Sequence, residues 1–113
     1  MTEYHEPWDA LPEETRDFHR AMKSLVEEIE AVDWYNQRVA VTTDETLRQV
    51  LGHNRDEEME HASMILEWLR RRMPGWDEQL RHFLFTEGEI AHPGEDAPSS
   101  GTAPDLGIGG LKE

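Results

Sequence analysis

Glu58 and His61 carry the clearest chemical signal in this 113-residue sequence. With Asn54 they continue the series 47, 51, 54, 58, 61, 65, whose other members Leu47, Leu51 and Ile65 are apolar. A carboxylate and an imidazole therefore stand where helix packing asks for leucine, and burying them without partners costs several kcal/mol. In Glu58-Met59-Glu60-His61 the two groups are three residues apart, so they project together from one helix face. Glu-x-x-His at this spacing is how helical bundles present ligands to a pair of metal ions. Carboxylate oxygen and imidazole nitrogen without sulfur suit iron or manganese, and zinc also accepts such a set.

A second carboxylate fits the pattern. Glu28 flanks an apolar series on an earlier stretch, with Val32 and Tyr35 four and seven residues further on. A bundle site for two metals takes two single Glu residues and two Glu-x-x-His pairs. This chain has one of each, so two copies about a two-fold axis supply four carboxylates and two imidazoles. Glu28 also fits a solvated helix position, and Tyr35 reads either as packing or as a donor beside the ligands. Glu57 and Glu60 are expected to face solvent. His5 and His92 fall in expected coil, and His19, His53 and His82 are assigned no carboxylate partner.

The elements that position these groups are helical. Pro12 with Glu13 and Glu14 suits a helix start, because proline and carboxylates are favoured in the first turn. Phe18, Met22, Leu25, Ile29, Val32 and Val39 then form one apolar seam. Val41 to Glu45 interrupts it, with Thr42 and Glu45 as a capping box or Asp44 as the alternative cap. The second seam runs through Leu47, Leu51, Ile65 and Leu69 to Pro74-Gly75, and Trp76, Leu80, Phe83 and Leu84 predict a short third helix. The two long helices have roughly 28 residues each, roughly 40 Å at ~1.5 Å per residue. The expected fold is all-α: an antiparallel two-helix hairpin plus a short C-terminal helix, dimerising into a four-helix bundle.

Composition bounds the function. Net charge is −14, with no cysteine. Such a balance disfavours nucleic-acid backbones and anionic membranes and favours cations. Disulfide scaffolds and thiolate metal sites are excluded. No apolar run approaches the ~18 residues of a spanning helix, and residues 1–11 lack the pattern of a secretory leader, so the cytoplasm is the expected compartment. Residues 1–11 are read as coil and 12–85 as the helical body. Residues 86–105, rich in Pro, Gly, Ser, Thr and acids, are read as a disordered linker, and 106–113 as a terminal peptide. Leu106, Ile108 and Leu111 bring apolar anchors back after the linker, with Gly107 and Gly109 permitting a kinked or extended path.

Glu27, Glu30 and Trp34 form a separate group on the first helix. They read either as an ordinary wet surface or as a staging site drawing cations toward the ligands, and Trp34 also suits a further subunit contact.

The runs Glu27 to Tyr35, His53 to His61, Leu66 to Arg71, Phe83 to Gly88 and the terminal Leu106 to Lys112 resemble the encapsulated ferritins, a ferritin-like family of half-length subunits. The resemblance implies a ferroxidase centre of Glu28, Glu58 and His61 from both subunits at a two-fold interface, with Tyr35 close by. It implies that metal enters through Glu27, Glu30 and Trp34. It further implies five dimers in an open ring, a decamer, without a cavity for mineral. Leu106, Gly107, Ile108, Gly109 and Leu111 would direct the ring into an encapsulin shell, where the oxidised iron is stored.

The expected activity is therefore oxidation of Fe(II) to Fe(III) with O2, two irons per dimer, inside an encapsulin nanocompartment. The alternative is a non-catalytic metal-binding adaptor with a structural zinc or manganese ion. Hydrolysis by a metal pair is the weaker reading, since no additional general base or substrate pocket is evident.

Overall fold

In a computed structural model, residues 3–94 are described. A short 3-10 turn, η1 (Trp8–Ala10), precedes three helices: α1 (Glu13–Val41), α2 (Glu45–Arg72) and α3 (Trp76–Phe83). No strand occurs among the described residues. The long helices are 29 and 28 residues, as the two seams predict. None of the described helices is long and apolar enough to cross a membrane.

The hairpin is antiparallel, which its cross-contacts show directly. Phe18 on α1 meets Trp68 on α2 edge to face, with ring centroids 6.0 Å apart. Further along, Glu28 faces His61, and Asn36 accepts a 2.9 Å hydrogen bond from Arg55. A Cβ placed on Gly52 would lie 4.0 Å from Val39. As α1 advances through these positions, its partners on α2 step backwards.

The turn between the helices settles the choice of cap. Asp44 is the N-cap of α2, and its carboxylate accepts from the Leu47 backbone N–H at 2.9 Å. Thr42 belongs to the preceding helix instead: it is the C-cap of α1, and its hydroxyl donates to the Arg38 carbonyl. The capping box of Thr42 with Glu45 does not form. Pro12 likewise sits at the N-cap of α1, one position outside the helix. The far end of α2 carries Arg70 and Arg71, which both bind Glu67 and hold its carboxyl well below the usual range, at about 2. Cations in this last turn also complement the helix dipole.

The seam on α1 is shifted from its expected course. Phe18, Met22, Leu25, Val32 and Val39 are half-buried, but Ile29 is 56% exposed and its neighbour Glu28 is half-buried. The step after Leu25 is three residues rather than four, so the inward position falls on a carboxylate. Leu69 is the one fully buried side chain among the described residues, while Val26, Ile29, Trp34, Val50, Met59 and Met64 are all exposed.

Residues 3–11 form more than coil. Glu3 pairs with His19 and Lys23 on α1, and Tyr4 stacks against Trp8 and His19. Arg16 donates to the Trp8 carbonyl at 2.8 Å and lies over its ring at 4.6 Å. Cation–π and charge-assisted contacts therefore hold the N-terminal segment on the first helix.

Residues 75–94 belong to a second compact unit. Gly75, at φ 99°, caps α3, a backbone conformation that favours glycine. Asp77 pairs with Arg81 one turn along, and Leu84 closes the helix through its N–H to the Leu80 carbonyl. The sequence expectation for a short helix from Trp76 is met.

Candidate metal centre

Glu28 and the pair Glu58 and His61 come from facing helices, near the middle of each. The inward step on α1 delivers Glu28, and the i, i+3 spacing on α2 delivers Glu58 and His61 together. His61 Nδ1 lies 3.1 Å from Glu58 Oε1 and 3.6 Å from Glu28 Oε1. One ligand atom from each of the three falls within 4.8 Å of the others. Among the described residues, this is the one group of three or more acidic or imidazole side chains so arranged.

Protons organise the cluster. Glu28 is pushed above the ordinary carboxyl range, first by its hydrogen bond to Glu58 and then by desolvation. Glu58 is held below that range because it accepts from Glu28 and from His61. His61 is raised above the ordinary imidazole value, chiefly through its hydrogen bond to Glu58. As pH rises, Glu58 therefore loses its proton before Glu28 does.

The donor set fits a divalent first-row metal. With bonds of ~2.1 Å, ligands of one ion lie up to ~4.2 Å apart, so small side-chain movements close the present spread. The three groups remain partly open: side-chain exposure is 26% for Glu28, 24% for Glu58 and 45% for His61. Two oxygens and one nitrogen from a single chain leave coordination positions free for water or for further protein ligands.

Tyr35 is half-buried two turns along α1 from Glu28, with the Arg38 guanidinium 5.0 Å over its ring. Glu27, Glu30 and Trp34 are all exposed, Trp34 at 52%. Lys23 stands near them: its raised pKa comes first from Glu3, with smaller contributions from Glu27 and Glu30. Leu106, Gly107, Ile108, Gly109 and Leu111 lie outside the described residues.

Two histidines do find carboxylates that the sequence reading did not assign. His53 Nε2 is 3.1 Å from Glu57, and His19 Nε2 is 3.6 Å from Glu3. The first pair has i, i+4 spacing, a signal legible in the sequence. The second depends on the N-terminal segment folding back, which periodicity does not reveal. Glu57 and Glu60 are exposed, as expected.

The EncFtn-like family model matches residues 3–87, a span holding all three residues of the cluster. The chain belongs to this family. An encapsulated ferritin-like protein from Rhodospirillum rubrum is 52% identical over 121 aligned positions, covering 96% of this chain and 86% of the relative. A ferritin-like protein from Thermotoga maritima is 60% identical over 108 positions, covering 94% of this chain and 95% of the relative. The crystal structure of protein ne0167 from Nitrosomonas europaea superposes with a TM-score of 0.75 at 57% identity, covering 79% of this chain and 98% of that one. The all-helical, ferritin-like character expected of this EncFtn-like chain is thereby established.

Proposed function

We propose that this EncFtn-like protein is a ferroxidase whose site is completed when two copies bring Glu28, Glu58 and His61 together across a two-fold axis. The observation that carries this reading is the convergence of those three ligands from two helices into one half-open cluster. Doubling it gives four carboxylates and two imidazoles for two irons. The exposed apolar side chains of the hairpin support self-association, since one fully buried leucine is a small core for two helices of this length. Assembly of dimers into a decameric ring is part of the same reading.

Iron is the substrate. Each Fe(II) gives up one electron to become Fe(III), and O2 is the electron acceptor. The chain's contribution is binding and proton handling. Glu28, Glu58 and His61 offer carboxylate oxygens and an imidazole nitrogen to the incoming cations, and any proton held by His61 leaves as it becomes a ligand. Exposed Glu27 and Glu30 beside Trp34 draw cations toward the helix. In the same reading Tyr35, two turns along α1 from Glu28, serves as a donor beside the site completed by the second copy.

The oxidised iron is stored inside an encapsulin shell, reached through Leu106, Ile108 and Leu111 of the terminal peptide, with Gly107 and Gly109 between them. The name of the Rhodospirillum rubrum relative supports this location. An apolar peptide on a tether gains effective concentration at the shell wall.

Oxygen consumption on adding Fe(II) to the purified protein tests the activity. Rapid uptake by wild type, reduced to the protein-free background in Glu58→Ala and His61→Ala, is the expected result. Background rates in wild type would instead favour a structural zinc or manganese site in an adaptor protein. Wild-type rates in either variant would remove the ligand assignment.

A further inference from the structure

We propose that Glu3 is a positioning residue for cation collection: by holding Lys23 it keeps that lysine off Glu27 and leaves Glu27 and Glu30 to incoming cations. The inference rests on the reading that these two acids draw cations toward α1. Lys23 Nζ lies 3.2 Å from Glu3 Oε2, and His19 Nε2 lies 3.6 Å from Glu3 Oε1. One carboxylate therefore serves two side chains of α1. Aromatic contacts fix the segment that carries it. Tyr4 stacks on His19, and Arg16 and Arg20 lie over the Trp8 ring at 4.6 and 5.5 Å.

These contacts fall on one face of the helix. Arg16, His19, Lys23, Glu27, Glu30 and Trp34 follow one another at steps of three and four, so they form a single line along α1. The first half of that line is basic and tied to the N-terminal segment. The second half is acidic, and among the described residues neither Glu27 nor Glu30 is in a salt bridge. Lys23 stands at the junction. Its raised pKa comes first from the hydrogen bond to Glu3, and the smaller contributions of Glu27 and Glu30 show that both acids act on the same ammonium.

Helix order decides which acid holds the lysine. Lys23 precedes Glu27 by four residues, and an i, i+4 pair is weaker with lysine first than with glutamate first. Glu3 reaches the ammonium from outside the helix and is free of that constraint. Without Glu3, Glu27 is the next acid along the line, and a lysine paired there cancels one of the two collecting charges. The arrangement does not depend on an uncovered hairpin. Lys23 and Glu30 lie about 140° and 160° around α1 from Glu28, so a second copy laid over the metal cluster leaves them on the far side of the helix. The bridge from Glu3 to Lys23 is made within one chain and persists in either state.

Terbium(III) luminescence excited through tryptophan, on the full-length protein, tests the proposal. Like Ca(II), terbium is a hard cation that takes carboxylate oxygens, and Trp34 stands one turn beyond Glu30. A signal that both Trp34→Phe and Glu27→Gln reduce belongs to this group of acids. Glu3→Gln should weaken that binding about two- to fivefold, the worth of one exposed ion pair. Lys23→Gln should bind at least as tightly as wild type, and adding Glu3→Gln to it should change nothing further. Glu6→Gln removes the same charge from the same segment and should have no effect. Wild-type affinity in Glu3→Gln would overturn the proposal, as would an equal weakening by Glu6→Gln. So would an undiminished loss from Glu3→Gln in the Lys23→Gln background, because the segment would then act without the lysine. If Glu27→Gln and Glu30→Gln leave the wild-type signal unchanged, the cation-drawing reading itself fails and the proposal falls with it.

Discussion

Metal binding at Glu28, Glu58 and His61 must compete with protons, and the pH at which it does so follows from the cluster. His61 binds its proton more tightly than an ordinary imidazole because Glu58 accepts from it at 3.1 Å. Glu28 keeps its proton above the ordinary carboxyl range because Glu58 accepts from that group too. A cation can use these atoms only after the protons leave. Well above the raised value of His61 no proton is displaced, so affinity is flat with pH. Below it one proton is released per site, and affinity falls about tenfold per pH unit. Further down, where Glu28 also titrates, the slope approaches about a hundredfold per unit.

Co(II) separates this binding from oxygen chemistry. Calorimetric titration between pH 5.5 and 8.5, in two buffers of different ionisation heat, gives affinity and protons released together. The expected result is release rising from near zero to one proton per site as pH falls through the raised imidazole range. Glu58→Gln removes the anion that both neighbours lean on, so the onset should move to lower pH. Affinity that stays constant across the whole range would refute the proton-sharing argument. So would a Glu58→Gln profile that coincides with wild type.

Two stability predictions concern the helix that carries the pair. Asp44→Ala removes the acceptor for the Leu47 N–H and should cost ~1 kcal/mol, read as a lower denaturation midpoint. Thr42→Ala should cost less, and an equal loss in the two variants would contradict the observed cap. Gly52→Ala should raise the midpoint, because alanine in a helix interior is favoured by ~0.5–1 kcal/mol. Its Cβ would meet Arg55 at 3.9 Å and Val39 at 4.0 Å, both ordinary contact distances, so a lower midpoint would show that the hairpin packs more tightly there.

The clustering of Glu58 and His61 was legible because polar residues interrupted an apolar period. Glu58 and His61 occupy steps that Leu51 and Ile65 continue, and the hairpin honours that register. Glu28 was harder. It adjoins Ile29, and seams passing through either residue satisfy spacings of three and four. Which one faces α2 depends on the partner helix, and only packing decides it. Asp44 and Thr42 posed the same problem at the turn, since either can cap and the point where the chain reverses selects between them. The N-terminal segment left no periodic signal at all. Its contacts pair Trp8 with Arg16 and Glu3 with Lys23, and such contacts depend on the tertiary path rather than on repeat spacing.

The ill fit of these polar groups to a core also bears on why the chain would assemble. Two carboxylates and an imidazole at mid-helix remove apolar contact from the stretch where a two-helix hairpin most needs it. One chain compensates by sharing protons among them, which works only while the cluster remains partly open to water. A second copy laid over the same face would exclude that water and raise the cost of the unneutralised charge. Two cations would then offset it. On this argument assembly and iron binding strengthen one another, and the acidic pair that weakens the isolated hairpin is what couples them. Analytical ultracentrifugation should therefore show dimer formation promoted by Fe(II) under anaerobic conditions, and the promotion should vanish in Glu58→Ala. Promotion that survives this substitution would place the metal-sensitive contact elsewhere on the hairpin.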